Sequence, residues 1–228
     1  MFNWVFILAM LFALLDWAST WKSWKKRLYI AKPALMILLA LWSYQQTGWQ
    51  HGMVWFGIAL VLSLLGDILL LLNPRYFLIG GSAFFFAHLA YLTGFNLTPT
   101  PPSAGVFLVA AIVGVSAAIV YRRIKPGIMR VPRGKRFLAA LSLYGLSLTF
   151  MLLSALLTLF KPDWATQHAV LAAGGAISFF ASDTMLIYDR FIKRLPHAQS
   201  YVHITYHIAQ FSIITGAMLH FIEVSNSF

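Results

Sequence analysis

Apolar residues fill this chain in eight long stretches, separated by short polar, basic or proline-rich segments. A hydrocarbon layer about 30 Å thick takes roughly 17 to 25 helical residues at about 1.5 Å each. On that requirement the pattern predicts helices at 2–18, 28–45, 52–72, 76–95, 104–121, 137–160, 165–188 and 201–222. The breaks have local causes. Asn73-Pro74 closes the third stretch, Thr98 to Ser103 with its three prolines divides the fourth from the fifth, and Lys161-Pro162-Asp163 ends the sixth. The first stretch starts at Phe2 with no basic residue before it and no small-residue cleavage site, so it reads as a retained helix rather than a signal peptide. No connection is long enough for a soluble domain, and 1–228 is read as a single transmembrane domain.

Composition supports an all-α, polytopic transmembrane bundle. The 228 residues are 60% hydrophobic and 10% charged, with a mean hydropathy of +0.77. A net charge of +11 would point to nucleic acid in a soluble protein, but here Lys and Arg cluster between the apolar runs. Fifteen of them fall in loops on one side and only Lys161 on the other, which predicts cytoplasmic basic loops and both termini on the non-cytoplasmic side. The segment 122–136 carries seven basic residues with Pro126, Gly127, Pro132 and Gly134. It reads as an orientation signal, with anionic-lipid contact as its functional alternative. The absence of cysteine excludes disulfides, Cys-ligated metal and thiol nucleophiles. An aromatic share of 16%, including Phe84 to Phe86, is ordinary interfacial and lipid-facing usage. Gly80-Gly81 and Gly174-Gly175 allow close helix approach or room for a lipid chain.

Against that background the polar residues inside the spans are the informative ones. A carboxylate at mid-bilayer costs roughly 2.5 to 3.5 kcal/mol even on lenient insertion scales. Asp67 and Asp183 each precede a polar boundary by six residues, which places both at about 9 Å depth from the basic side. Lys32 lies about 6 Å in, His203 and His207 about 3 and 9 Å, and His88 and Tyr91 about 18 to 22 Å. The expected picture is a polar pocket in the basic half of the bundle, floored by His88 and Tyr91. Asp16 beside Trp17 is expected at the interface, His203 in contact with solvent, Asp189 in an ion pair with Arg190, and His51, His168 and His220 outside the site.

Several readings of these residues stay open. One reading makes the aspartates structural partners of Lys32 or a histidine, knitting helices together. His203 and His207 have the i, i+4 spacing of metal ligands, and with His88 or an aspartate they would make a zinc-dependent lipid hydrolase. The dense framework of three or more well-spaced ligands is missing, so no metal or other cofactor is assigned. A proton-coupled carrier would use the aspartates as protonation sites. Asp67 followed 21 residues on by His88, and Asp183 followed 24 residues on by His207, form a faint echo consistent with a parallel 4+4 repeat.

Taken in order, Lys32-Pro33, Leu65-Gly66-Asp67, Gly81 through Phe84, His88 and Tyr91, Phe180-x-Ser182-Asp183, and Tyr206 to Gln210 resemble the YhhN/TMEM86 family of integral membrane proteins over nearly the whole chain. The resemblance implies eight helices and a lysoplasmalogenase, which cleaves the vinyl ether of lysoplasmalogen to a fatty aldehyde and glycerophosphoethanolamine or glycerophosphocholine. Some family sequences lack an aspartate where this one has Asp183, so the presence of both favours an active enzyme. Vinyl ether hydrolysis begins with protonation of the β-carbon and passes through an oxocarbenium ion. It therefore calls for a protonated carboxyl and a nearby anion, as glycosidases do.

Residues and resemblance together give Asp67 and Asp183 as acid and charge-stabilising pair, without deciding which is which. His88 and Tyr91 would orient the enol ether or the attacking water. Lys32, with Arg75 or Arg190 at the rim, would hold the lipid phosphate. Ser182, Tyr206, His207 and Gln210, from the resembling segments, complete the expected substrate-binding set. The expected partners are a lysophospholipid substrate and membrane lipids, with no nucleic acid, in a bacterial inner membrane or the endoplasmic reticulum.

Overall fold

The computed structural model describes residues 3–225, so Phe2 at the head of the first expected span lies outside the described residues. The helices are α1 (Trp4–Trp21), α2 (Lys25–Thr47), α3 (Met53–Leu72), α4 (Phe77–Phe95), α5 (Ala104–Ile128), α6 (Gly134–Leu157), α7 (Thr166–Phe191) and α8 (Ala198–Ser225). Short 3-10 turns at Pro74–Tyr76 and Thr158–Phe160 complete the secondary structure, and no strand occurs among the described residues. All eight helices are long and apolar enough to cross a membrane. The protein is an all-α, multi-pass integral membrane protein.

Several helices overrun the apolar windows of the sequence. α5 continues seven residues past Tyr121, through Arg122, Arg123 and Pro126, where a loop was expected. Hydropathy stops at the first charge, but a helix does not: Lys and Arg carry their charge away from the backbone on long stems. Among them, the Lys125 ammonium lies 5.8 Å from the centre of the Tyr121 ring. Caps fix two of the starts. Asn3 Oδ1 accepts from Phe6 N at 3.1 Å, and Ser103 Oγ accepts from Val106 N at 3.3 Å, each satisfying an otherwise unpaired amide of the first turn.

α8 is the hub of the bundle, packed on α7 along most of its length and also touching α1, α2 and α3. The close α7–α8 crossing depends on two glycines. A Cβ on Gly175 would lie 2.8 Å from Ile213 N, and one on Gly216 would lie 2.7 Å from His168 O. Small residues let helices approach to this range inside a membrane, where no aqueous hydrophobic effect drives them together. Of the two Gly-Gly pairs in the sequence, Gly80 and Gly175 make such contacts, whereas Gly81 and Gly174 face open space. α6 bridges to α4, α5 and α7. α5 is the outlier, with only 6% of its apolar window buried. Below the site, Phe84, Phe179 and Tyr206 meet edge to face at centroid distances of 6.3, 5.9 and 5.5 Å, joining α4, α7 and α8.

Candidate active site

A cavity of about 440 Å³ opens between α2, α3, α4, α6, α7 and α8, towards the end of the bundle that carries Arg75 and Arg190. Its polar lining is Lys32, Asp67, Ser82, Tyr144, Ser182, Asp183 and Tyr206, and the rest is Phe, Leu and other small or aliphatic side chains. Phe86 and Leu143 line it while remaining 55% and 57% exposed, so the cavity opens sideways between α4 and α6 onto the outer surface of the bundle. Gly81 belongs to the same lining, its missing side chain leaving space there.

Asp67 stands at the head of a chain of buried polar groups. Its Oδ1 forms an ion pair with Lys32 Nζ at 2.7 Å, and its Oδ2 accepts the Tyr206 hydroxyl at 2.8 Å. Lys32 Nζ also lies 4.8 Å from the centre of the Tyr206 ring. Gln210 Nε2 donates to the Tyr206 oxygen at 3.2 Å, and Tyr91 donates to Gln210 Oε1 at 2.5 Å. Four helices are tied together by this sequence of bonds. Tyr91 and Gln210, expected to bind substrate, both sit behind Tyr206 and neither is among the residues that line the cavity. Tyr206 and Gln210 are one turn apart on α8, so the residue nearer the opening shields the other.

Asp183 has different company. Its Oδ2 accepts the hydroxyl of Tyr144 on α6 and lies 3.8 Å from His88 Nε2. Ser147 Oγ donates to the Tyr144 carbonyl at 2.8 Å, which leaves the serine lone pair to accept from His88 Nδ1 at 3.2 Å. In the neutral ring the lone pair then falls on Nε2, which is buried and has no hydrogen-bond partner. His88 does not line the cavity; it stands directly behind Asp183. Ser182 does line it, but its hydroxyl donates to the Val202 carbonyl at 2.9 Å and so ties α7 to α8. Tyr144 is the functional group that reading the sequence missed. Its signal was present: seven residues past Phe137 it lies about 10.5 Å into its helix, near the depth of the aspartates.

A second polar cluster lies outside the cavity and overturns three expectations. Asp16 is fully buried rather than interfacial, and His203 is buried rather than solvated. The two are paired, His203 Nδ1 to Asp16 Oδ2, at 2.7 Å. His207 faces the same cluster instead of the substrate cavity: its Nδ1 accepts from Trp17 Nε1 at 3.0 Å and lies 3.8 Å from Asp16 Oδ2. The reason is rotation, since His207 is one residue from Tyr206 and so about 100° around α8, facing α1 rather than α3. Asp16, His203 and His207 bring candidate ligand atoms within 4.8 Å of one another. Part of this donor set is engaged within the protein, with Trp17 on His207 Nδ1 and His203 on Asp16 Oδ2, while Asp16 Oδ1 and His207 Nε2 are buried without a hydrogen-bond partner. Asp67, Asp183 and His88 are not part of this group. At the rim, Asp189 pairs with Arg194 at 2.8 Å, not with Arg190 as expected.

A helical membrane bundle with two carboxylates on one laterally open cavity defines the class: a multi-pass protein whose polar site faces lipid-borne molecules. The chain belongs to the YhhN family, whose model matches residues 28–217. It is 31% identical over 196 residues to the lysoplasmalogenase TMEM86B of Mus musculus, covering 86% of this chain and 76% of that protein. The Homo sapiens lysoplasmalogenase TMEM86B is 30% identical over the same shares. The lysoplasmalogenase TMEM86A of Bos taurus is 27% identical over 163 residues, 71% of this chain and 64% of that protein. No solved structure matches the chain.

Proposed function

We propose that this protein is a lysoplasmalogenase, a membrane hydrolase that cleaves the vinyl ether bond of lysoplasmalogen by carboxylic acid catalysis, with Asp183 as the acid and Asp67 as the resident anion. The observation that carries the division of roles is the unequal pairing of the two carboxylates. Asp67 has the Lys32 ammonium at 2.7 Å, and Asp16 is paired with His203 at 2.7 Å. Asp183 has only a tyrosine hydroxyl and an imidazole as polar neighbours. An ionised carboxylate in apolar surroundings needs a cation or several donors, and Asp183 is the one placed to hold a proton instead. Tyr144 occupies its Oδ2, which leaves Oδ1 to carry that proton.

The chemistry follows. Asp183 protonates the β-carbon, the carbon–carbon π pair forms the new C–H bond, and the positive charge passes to the α-carbon and ether oxygen. The cation forms between the new Asp183 carboxylate and Asp67. Water adds to the α-carbon and returns a proton to Asp183. The hemiacetal then breaks its bond to the glycerol oxygen, which takes up the hydroxyl proton, giving fatty aldehyde and the glycerophospho alcohol. His88, behind Asp183, and Tyr144 are positioning residues for the acid. The alkenyl chain lies along Phe84, Phe85 and Leu143. A second, apolar cavity of about 580 Å³ among α5, α6 and α7 shares Leu141, Tyr144 and Ile187 with the first, giving a long chain further room.

The test is to incubate the detergent-purified protein with lysoplasmalogen and with matched saturated alkyl ether and acyl lysolipids, with and without chelator, and to measure aldehyde by mass spectrometry. Aldehyde from the vinyl ether alone is the expected result. Asp183→Asn should lose about 10²- to 10⁴-fold in turnover, the scale of a general acid, while eluting normally on gel filtration. Near-normal turnover in both Asp183→Asn and Asp67→Asn would overturn the assignment, and chelator-sensitive release of fatty acid would identify a metallohydrolase instead.

A further inference from the structure

We infer that Arg190 forms the subsite for the phosphodiester of the substrate head group, two helical turns along α7 from Asp183. The inference rests on the reading of the cavity as a lysoplasmalogen site. Asp183, Leu186 and Ile187 line the cavity, and the next residue on that stripe, at i, i+7 from Asp183, is Arg190. Seven residues bring the helix round to within about 20° of the same face, about 10.5 Å further along the axis. The guanidinium lies 3.9 Å from the centre of the Phe77 ring, itself part of the cavity wall.

The substrate has a matching length. From the vinyl β-carbon to phosphorus there are seven bonds, about 8 Å when extended, so a head group clamped at Arg190 places the β-carbon at Asp183. Two neighbouring cations are already paired with carboxylates, and Arg75 is turned onto the Tyr76 ring and hydroxyl. Lys32 is held by Asp67, and Arg194 by Asp189. Arg190 has no carboxylate within ion-pair distance among the described residues. Its planar fork of donors suits two phosphate oxygens at once, and stacking on Phe77 holds it ready. Lys32, expected to hold the phosphate together with Arg75 or Arg190, yields the main part to Arg190 in this assignment, because the Lys32 charge is already paired with Asp67.

The experiment compares wild type, R190Q and R190K in nonionic micelles, on lysoplasmalogen and on the 1-alkenylglycerol that lacks phosphate. R190Q should raise KM for the phospholipid about tenfold or more, the worth of a charge-assisted hydrogen bond, with kcat nearly unchanged. It should leave the alkenylglycerol unaffected, and R190K should recover part of the loss. Calorimetric binding of the saturated alkyl ether lysophospholipid and of its alkylglycerol counterpart reads the same contrast without turnover, so it decides the subsite even where no aldehyde forms. An equal effect of R190Q on both lipids, or none on the phospholipid, overturns the inference. So does equal competition by added phosphatidylglycerol, which would make Arg190 a contact for any surface phosphate.

Discussion

Lys32 and Asp67, buried together on adjacent helices, depend on each other in a way that can be measured. Removing either partner strands a charge in apolar surroundings, which typically costs about 3 to 5 kcal/mol, whereas replacing both by groups of similar size can be nearly neutral. Lys32→Met and Asp67→Asn should therefore each lower the thermal midpoint in detergent, and the double variant should recover much of that loss. Additive losses would show that the two residues act independently. Asp183 belongs to a different regime: its neighbours are a tyrosine hydroxyl and an imidazole nitrogen, so its asparagine variant should lose chemistry with little loss of fold. The same residue type at the same expected depth thus sits in two different settings, separated by whether a cation stands beside it.

Between helices, a close backbone approach is also a sensitive one. Gly216→Val would push a side chain against the backbone of α7 at His168 and Ala172, where even a Cβ would come within 2.8 Å of two atoms. Backbone cannot give as a side chain can, so this variant should lower the melting midpoint sharply. Gly81→Ala, with nothing within 4 Å, should leave it unchanged. A thermal shift series in detergent distinguishes the two, and equal effects would refute the close-approach account. The pattern of the chain made the helices legible because hydropathy and the 1.5 Å rise report length and depth. It could not report azimuth. Asp67 and Asp183 were placed at one level, and both line one cavity; His207 was placed at that level too, yet faces α1. Tyr144 went unrecognised, and the burial of Asp16 against His203 unforeseen, for the same reason. Whether a polar residue points to a cavity, a neighbour or lipid is set by which helices lie alongside, and that pairing is a long-range property.

At the scale of the whole molecule, the two ends of the cavity have different characters. Inside, it is polar at Lys32, Asp67 and Asp183; towards Phe86 and Leu143 it is greasy and open through the side of the bundle. α5, barely buried, leaves much of the neighbouring face accessible to lipid as well. The side opening has a kinetic consequence. A molecule that enters from within the leaflet is counted by the enzyme per unit of membrane, not per unit of water. In vesicles holding a fixed total of lysoplasmalogen, adding inert phosphatidylcholine should slow turnover in proportion to the falling mole fraction. Diluting the same vesicles with buffer should leave turnover per enzyme unchanged. Dependence on bulk concentration alone would mean that substrate arrives through water, and would close the side door. If the prediction holds, the protein works as a two-dimensional catalyst, and its supply of substrate is governed by lateral diffusion and by how crowded the leaflet is.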